Sequence, residues 1–315
     1  MTRAVSTASD GVVTLSGGTG SAKFLRGLQT LAKFTVVANV ADNSWFHGLY
    51  VCPDIDTVTY TLAGIADSER GWGIQGDKFT VLGQLKRLEA SDTWFNIGDL
   101  DLATDILRTA LMREGKSLTE VTSIIAERLG VKGCKIIPAS DQHVETRVRT
   151  AEGGEMHLQE FWVKARGRPT PEGVRYVGAR GARPSRDALR SIASANRVVI
   201  CPANPITSVL PILSIPGFRR ALERSRARRV AVSPMIGEGA FSGPAAGLMA
   251  AKGLKSRSES VARLYKGLID VFVLDEGDRS QAKAIEKTGV SCVFTSTLMS
   301  SRDEEARLAK VAMEA

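Results

Sequence analysis

The sequence predicts an α/β fold: a Rossmann-like, mostly parallel sheet with helices on both faces and a smaller inserted α+β segment. Three observations predict it. Short apolar runs alternate with longer amphipathic segments, the pattern of a parallel sheet covered on both faces. The first apolar run ends in a glycine turn, Gly17-Gly18-Thr19-Gly20, that leads directly into helical spacing at Phe24, Leu25, Leu28 and Leu31. Between residues 130 and 190 the period shortens to two, the mark of antiparallel strands.

Taken in order, residues 12–15, 34–40, 197–201, 229–233, 271–274 and 292–295 read as strands, and residues 25–31, 56–65 and 258–268 as helices. The insert carries two alternating stretches, 144–149 and 156–161, with Gly153-Gly154 between them as a hairpin turn. Residues 167–184, rich in Gly, Pro and Arg, read as loop. The organisation expected is a core of residues 11–129, an inserted β-rich segment of residues 130–190 acting as lid or dimer arm, and the second part of the core at residues 191–315. Residues 1–10 are small and polar and lack the apolar stretch of a secretory signal, so they read as a short frayed leader.

Composition narrows the class. A hydrophobic content of 43% in 315 residues supports a sizeable core, and no apolar run approaches the roughly 20 residues that cross a bilayer. The four cysteines stand far apart with no C-x-x-C pair, which reads as reduced thiols in a cytoplasmic protein, and the three histidines have no zinc-site spacing. The net charge of +8 is concentrated in part at Arg219, Arg220, Arg224, Arg226, Arg228 and Arg229. With no aromatic residues interleaved for base stacking, this reads as a solvated helix face, and nucleic acid is not the expected partner. The positive excess suits an anionic small molecule.

The glycine turn is the strongest chemical signal. A strand, a glycine turn and a helix N-terminus present backbone N–H groups to an anion, and Lys23 adds a cation near the first helical turn. The turn fits neither the Walker A pattern nor G-x-G-x-x-G, because position 23 is Lys. Asn39-Val40-Ala41-Asp42-Asn43 follows the second strand and suits an Asx-turn or a grip on a ribose, a metal or a ring edge. Cys52-Pro53-Asp54-Ile55-Asp56 places two carboxylates where a helix begins. One can be an N-cap; the pair can hold Mg²⁺ beside a diphosphate or take a proton from a hydroxyl. Gly98-Asp99-Leu100-Asp101 repeats the pattern. Asn204-Pro205-Ile206-Thr207-Ser208 and Ser233-Pro234-Met235-Ile236-Gly237 place small polar groups after further strands, where ligands of such sheets bind.

Together these motifs resemble the 2-phospho-L-lactate transferase family. The resemblance runs from about Val12 towards the C-terminus and rests on Ser16-Gly-Gly-Thr-Gly-Ser-Ala-Lys23, Cys52-Pro-Asp-Ile-Asp-Thr57, Trp72-Gly-Ile74, Gly98-Asp-Leu-Asp101, Asn204-Pro-Ile-Thr-Ser208 and Ser233-Pro-Met-Ile-Gly237. It implies transfer of a phospho-acid moiety from a lactyl-diphospho-guanosine donor, or its enolpyruvyl or glyceryl relative, to the terminal ribityl hydroxyl of the deazaflavin FO. GMP leaves and the non-glutamylated form of coenzyme factor 420 results. It further implies Mg²⁺, a Rossmann-like core and a homodimer. By the same resemblance Gly17, Gly18, Thr19, Gly20 and Lys23 would hold the donor phosphates, and Asn204, Ser208, Ser233 and Gly237 the nucleotide. Asp54 and Asp56 would be the catalytic carboxylates, Asp42, Asp56 and Asp99 would meet FO, and Asp54 and Asp101 are the metal candidates. Leu100 and Asp105 depart from the family, many members of which carry Arg and His there. The gluconeogenesis-factor proteins, which bind nucleotide sugars without established turnover, share the glycine loop, but Pro53-Asp54-Ile55-Asp56 with Trp72-Gly73-Ile74 looks like the transferase branch.

Overall fold

The first apolar run becomes β1 (Val12–Ser16), every residue of it buried, near the middle of the main sheet. The structure, a computed structural model, describes residues 11–236 and 245–315. The remaining sheet strands are β2 (Phe34–Ala38), β5 (Cys134–Pro138), β9 (Arg197–Ile200), β10 (Arg228–Val232), β11 (Val271–Leu274) and β12 (Ser291–Phe294). Outside that sheet lie β3 (Ser44–Phe46), β4 (Leu49–Val51), β6 (Glu145–Thr150), β7 (Glu155–His157) and β8 (Pro171–Val177). The main sheet runs β12-β11-β10-β9-β1-β2-β5, and each of its pairings is parallel. Counted along the chain this is the order 3-2-1-4-5-6 of the doubly wound fold, extended by one strand. After β1 the chain builds towards β5, then crosses back to lay β9 on the other side of β1. The connections that leave β1 and β9 therefore run in opposite directions along the sheet, the switch point at which a crevice forms.

All six predicted strands enter this sheet. The seventh, β5, falls inside the segment 130–190, so that segment is not one separate piece. Its short sequence, Cys-Lys-Ile-Ile-Pro, hides a strand because Lys135 and Pro138 interrupt the apolar signal; Pro is tolerated here because β5 is an edge. The predicted hairpin is present as β6 and β7, antiparallel, with Gly153 and Gly154 both at positive φ. Its second strand ends at His157 rather than 161, because Gln159 and Glu160 turn the chain into a wide helical turn, Glu160–Lys164. The stretch read as loop contains β8, which joins β6 on the outer side of the small sheet, where Pro171 and Gly173 are again permitted by an edge.

Helix α1 (Gly18–Gln29) follows β1, and α2 (Pro53–Leu62) follows the β3–β4 hairpin. Next come α3 (Thr80–Arg87) and α4 (Asp99–Arg113). The C-terminal helix Arg302–Glu314 packs along α1. Arg26 of α1 forks onto Glu305, with Nε donating to Oε2 at 2.7 Å and Nη2 to Oε1 at 2.5 Å. Beside this pair Gly27 lets the two backbones meet, because a Cβ there would strike the Glu305–Ala306 peptide. None of the described helices is long and apolar enough to cross a membrane, and the four cysteines are free thiols.

Gly27→Ala should therefore force α1 and the C-terminal helix apart and cost about 1–3 kcal/mol, the usual range for overpacking. Urea unfolding should show a lower midpoint with an unchanged slope; an unchanged midpoint would show that the helices do not meet as closely as described.

Candidate active site

The crevice between β1 and β9 opens into a cavity of about 610 Å³. One wall is the Gly17–Gly20 turn at the end of β1; facing it, Pro202–Asn204, Thr207 and Ser208 follow β9. Gly17 is extended, whereas Gly18 has φ +72°, a conformation that favours glycine. The N-cap residue of helix α1, Gly17, offers no side-chain cap; Ser21 Oγ accepts from its N–H at 3.2 Å, and the Asp54 carboxylate bonds the Gly18 backbone N–H. A Cβ on Gly17 would collide with the Asp54 carboxylate and the Ser208 side chain, so the turn, α2 and the β9 loop meet at one point.

Four carboxylates, Asp42, Asp54, Asp56 and Asp101, line the cavity. Asp54 and Asp56 lie in the first turn of α2, but neither caps it; Cys52 is the N-cap residue and makes no side-chain cap. Asp54 instead accepts from Asn39 Nδ2 at 2.9 Å, and the same Nδ2 reaches the Thr207 carbonyl at 3.1 Å. Asn39 Oδ1 accepts from Ala41 N–H, so this residue makes the anticipated local turn and grips the site as well. Burial, then the Asp54 charge, pushes the Asp42 carboxyl well above the ordinary range, and Asp42 shares a hydrogen bond with Asp54. Burial also raises Asp54, opposed by Asn39 and the Gly18 backbone. It raises Asp56 as well, opposed by the Arg108 guanidinium. Asp101, held by the Tyr60 hydroxyl at 2.6 Å, is pushed up to about 7 by burial and by the Asp56 charge. Asp42 Oδ1 and Asp56 Oδ2 are buried without a hydrogen-bond partner. Buried acceptors of this kind are rare in folded proteins, and their presence points to a missing donor or cation.

The cavity is also lined by aromatic side chains, Tyr60, Trp72, Phe95 and Trp162. Trp72 is braced by Arg70, whose guanidinium lies 5.3 Å from the ring centre and is anchored on Asp67 and the Ile74 carbonyl. Trp162 arrives from the wide turn after β7, which brings the inserted small sheet to the site.

Of the sequence-predicted residues, the structure gathers Gly17, Gly18, Thr19, Gly20, Asp42, Asp54, Asp56, Asp101, Asn204 and Ser208 around the cavity. It does not bring Lys23, Asp99 or Ser233 there. Asp99 accepts from the Thr80 and Val81 N–H groups and so caps α3, while Asp77 accepts from Leu100 and Asp101 and caps α4, a reciprocal exchange of caps. Those amide donors hold Asp99 below the usual carboxylate range. Lys23 is exposed and donates to the Met299 carbonyl at 3.2 Å. Ser233 is buried against Ser258 Oγ at 2.7 Å. Gly237 lies outside the described residues. Asn204 spends its side-chain oxygen on the Ile206 and Thr207 N–H groups. Leu100, one of the two departures from the family pattern, is half exposed on α4, away from the cavity. Sequence reasoning missed Tyr60, Trp162 and Arg108. Tyr60 follows Asp56 by four residues and so shares its helix face, a signal that was available. Nothing local marks Trp162 or Arg108.

Fold and site thus define a parallel α/β protein with a glycine turn and a helix N-terminus at its switch point, opening on a cavity lined by carboxylates and aromatics. Residues 12–308 match the family described as 2-phospho-L-lactate transferase CofD, and the chain belongs to that family. It is 39% identical to a 2-phospho-L-lactate transferase from Methanosarcina mazei, over 96% of this chain and 100% of that protein. It is 37% identical to a phosphoenolpyruvate transferase from Streptomyces griseus, over 96% of this chain and 97% of that one. Among solved structures, a UPF0052 family member from Bacillus halodurans has a TM-score of 0.67 at 20% identity and covers 97% of this chain and 99% of its own, a likeness of fold. The chain is accordingly a transferase.

The raised Asp101 carboxyl has a consequence for stability. Between its ordinary 3.8 and about 7, the folded protein keeps a proton that the unfolded chain releases, so this group's contribution to stability falls as pH rises through that window. In Mg²⁺-free buffer Asp101→Asn, which still accepts from Tyr60, should gain on the parent by up to about 4 kcal/mol more at pH 8 than at pH 4. Thermal unfolding at the two pH values reads this directly; a pH-independent difference would refute the shift.

Proposed function

We propose that this transferase moves a 2-phospholactyl or related phospho-acid group from a guanosine diphospho-donor to FO. The observation that carries the reading is the meeting, in one cavity, of a glycine turn at a helix N-terminus with buried carboxylates, two of which hold an uncommitted oxygen. The first suits a diphosphate, and the second suits a hydroxyl that must lose its proton. Trp72, Phe95 and Trp162 offer flat apolar surface for a tricyclic ring. In the reaction the terminal ribityl hydroxyl attacks the phosphorus that bears the acid. The new O–P bond forms as the bridging P–O bond of the diphosphate breaks, and GMP departs with the electron pair. Asp56 accepts the hydroxyl proton. The glycine turn and the N-terminus of α1 hold the phosphates in line, so positioning and charge stabilisation supply most of the catalysis.

Among the described residues no group of three or more His, Cys, Asp or Glu side chains could hold a metal ion by itself. Mg²⁺ does not require one, since it commonly takes one or two carboxylates and completes its shell with water and substrate phosphate. The unpartnered oxygen of Asp42, whose carboxyl shares a hydrogen bond with Asp54 in the same cavity, fits that demand. We assign Asp54 as the residue that would hold Mg²⁺, with Asp42 and Asp101 as the neighbours able to join it. Bound there, the ion would neutralise charge on the diphosphate. The cytoplasm and a homodimer are part of the same proposal.

The names of the relatives span two acids, phospholactate and phosphoenolpyruvate, so the donor is a matter for experiment. Incubation with FO and guanosine donors bearing lactate, enolpyruvate or glycerate should give a mass-shifted deazaflavin and GMP with at least one donor. Absence of both products would favour a nucleotide-binding protein without turnover. Asp56→Asn, nearly isosteric, should lower FO turnover by roughly 10²–10⁴-fold in a chain that still folds, with a lowered thermal midpoint because Arg108 loses a buried partner. Turnover equal to the parent's would remove Asp56 from the chemistry.

A further inference from the structure

Arg108 is about the most buried place a guanidinium can occupy: 1% of it is exposed, and it is the largest of the fully buried side chains. It projects from the middle of α4 and is not on the cavity wall. Its two terminal nitrogens nevertheless tie the site together. Nη2 donates to Asp56 Oδ1. Nη1 donates to Asp105 Oδ1 at 2.5 Å and to the Tyr50 carbonyl of β4 at 3.2 Å. Asp105, one helical turn earlier, is fully buried and faces the same guanidinium. The fork thus has one tine in the α2 carboxylate and one in a carboxylate of its own helix, with the hairpin backbone as a third stop.

Packing alone does not account for this. A buried ion pair is seldom a net source of stability, and well-filled apolar side chains usually serve as well. Here two buried carboxylates share one guanidinium, and a third, Asp101, stands on the same helix. On the side of α2, Asp56 has Asp54 for a neighbour, and Asp42 lies beyond. Arg108 is the cation in direct contact with Asp56. Its contact engages Oδ1 and leaves Oδ2 without any partner. A carboxylate held at one oxygen by a rigid fork, itself clamped at the other end, has one rotamer and one uncommitted oxygen.

We propose that Arg108, clamped by Asp105, is a positioning residue for the transfer: it fixes the Asp56 carboxylate so that Oδ2 is the atom that accepts the proton of the acceptor hydroxyl. The proposal rests on the transferase reading above. Lys cannot replace Arg in this role, because a single ammonium cannot span two carboxylates in a fixed plane.

The test is steady-state turnover of FO by the full chain, with GDP affinity measured by calorimetry as the donor-side probe. Arg108→Lys keeps the charge and should lose on the order of 10–100-fold in kcat, with GDP affinity held within about threefold. Asp105→Asn, which unclamps the fork, should lose about tenfold in kcat, mostly without a change in the KM for FO. Arg108→Ala should lose on the order of 100-fold or more, and methylguanidinium, unlike methylammonium, should restore part of it. If Arg108→Ala does not fold, the Lys and Asn variants decide. Parent-like kcat in a folded Arg108→Lys chain would overturn the proposal, as would losses of kcat and GDP affinity in equal measure. A parent chain that makes no product from FO would overturn the transferase reading and this proposal with it. An active parent beside an equally active Arg108→Lys overturns the proposal alone.

Discussion

The site depends on one close approach, that of Asp54 to Gly17. The Asp54 carboxylate fills the space that a side chain on Gly17 would need, with Ser208 packed beside it. Asn39 holds Asp54 from the end of β2 and reaches on to the Thr207 carbonyl after β9. Three strand ends and the first turn of α2 thereby converge within one layer of atoms. The parallel order that puts β1 between β2 and β9 makes the convergence possible, and the missing Cβ at residue 17 makes it close enough to matter.

Holding four carboxylates in one cavity costs free energy, and the structure shows how that cost is distributed. At Asp42 burial and the Asp54 charge push the carboxyl well above its ordinary range, and it shares a hydrogen bond with Asp54. Asp101 answers the cost with the Tyr60 hydroxyl, and Asp56 with Arg108. The two oxygens left over, on Asp42 and Asp56, are the ones for which a cation or a substrate proton would be the missing partner. A glycine turn suited to anions lies directly against acids that would repel them. A cation between the two would resolve the conflict, and an acceptor that must be deprotonated gives the remaining acid a purpose.

The sequence made the sheet legible because parallel strands buried on both faces are continuous apolar runs, and six of the seven stood out on that ground. It hid β5 and β8 because both are edges, where Lys, Gly and Pro are tolerated. The same divide runs through the site. Residues carried on the turn directly after a strand, such as Gly17–Gly20, Asp42 and Asn204, were legible because turn position fixes where they face. Asp99 had the right type and spacing, yet its carboxylate was spent on capping α3, a use set by how two helices meet. Lys23 sits five residues into α1, so the helix turns its side chain away from the cradle, towards the carbonyl of Met299. Trp162 reaches the cavity from the turn after β7, and Arg108 reaches Asp56 from mid-helix; only tertiary packing determines such placement.

The central claim is that the switch-point cavity is where a guanosine diphospho-donor and FO meet. A crystal structure of the chain grown with GDP and FO tests it most directly. The account predicts the diphosphate against the Gly17–Gly20 turn and the ribityl chain within hydrogen-bond reach of Asp56. Well-defined density for either molecule elsewhere, with this cavity holding only water, would contradict it.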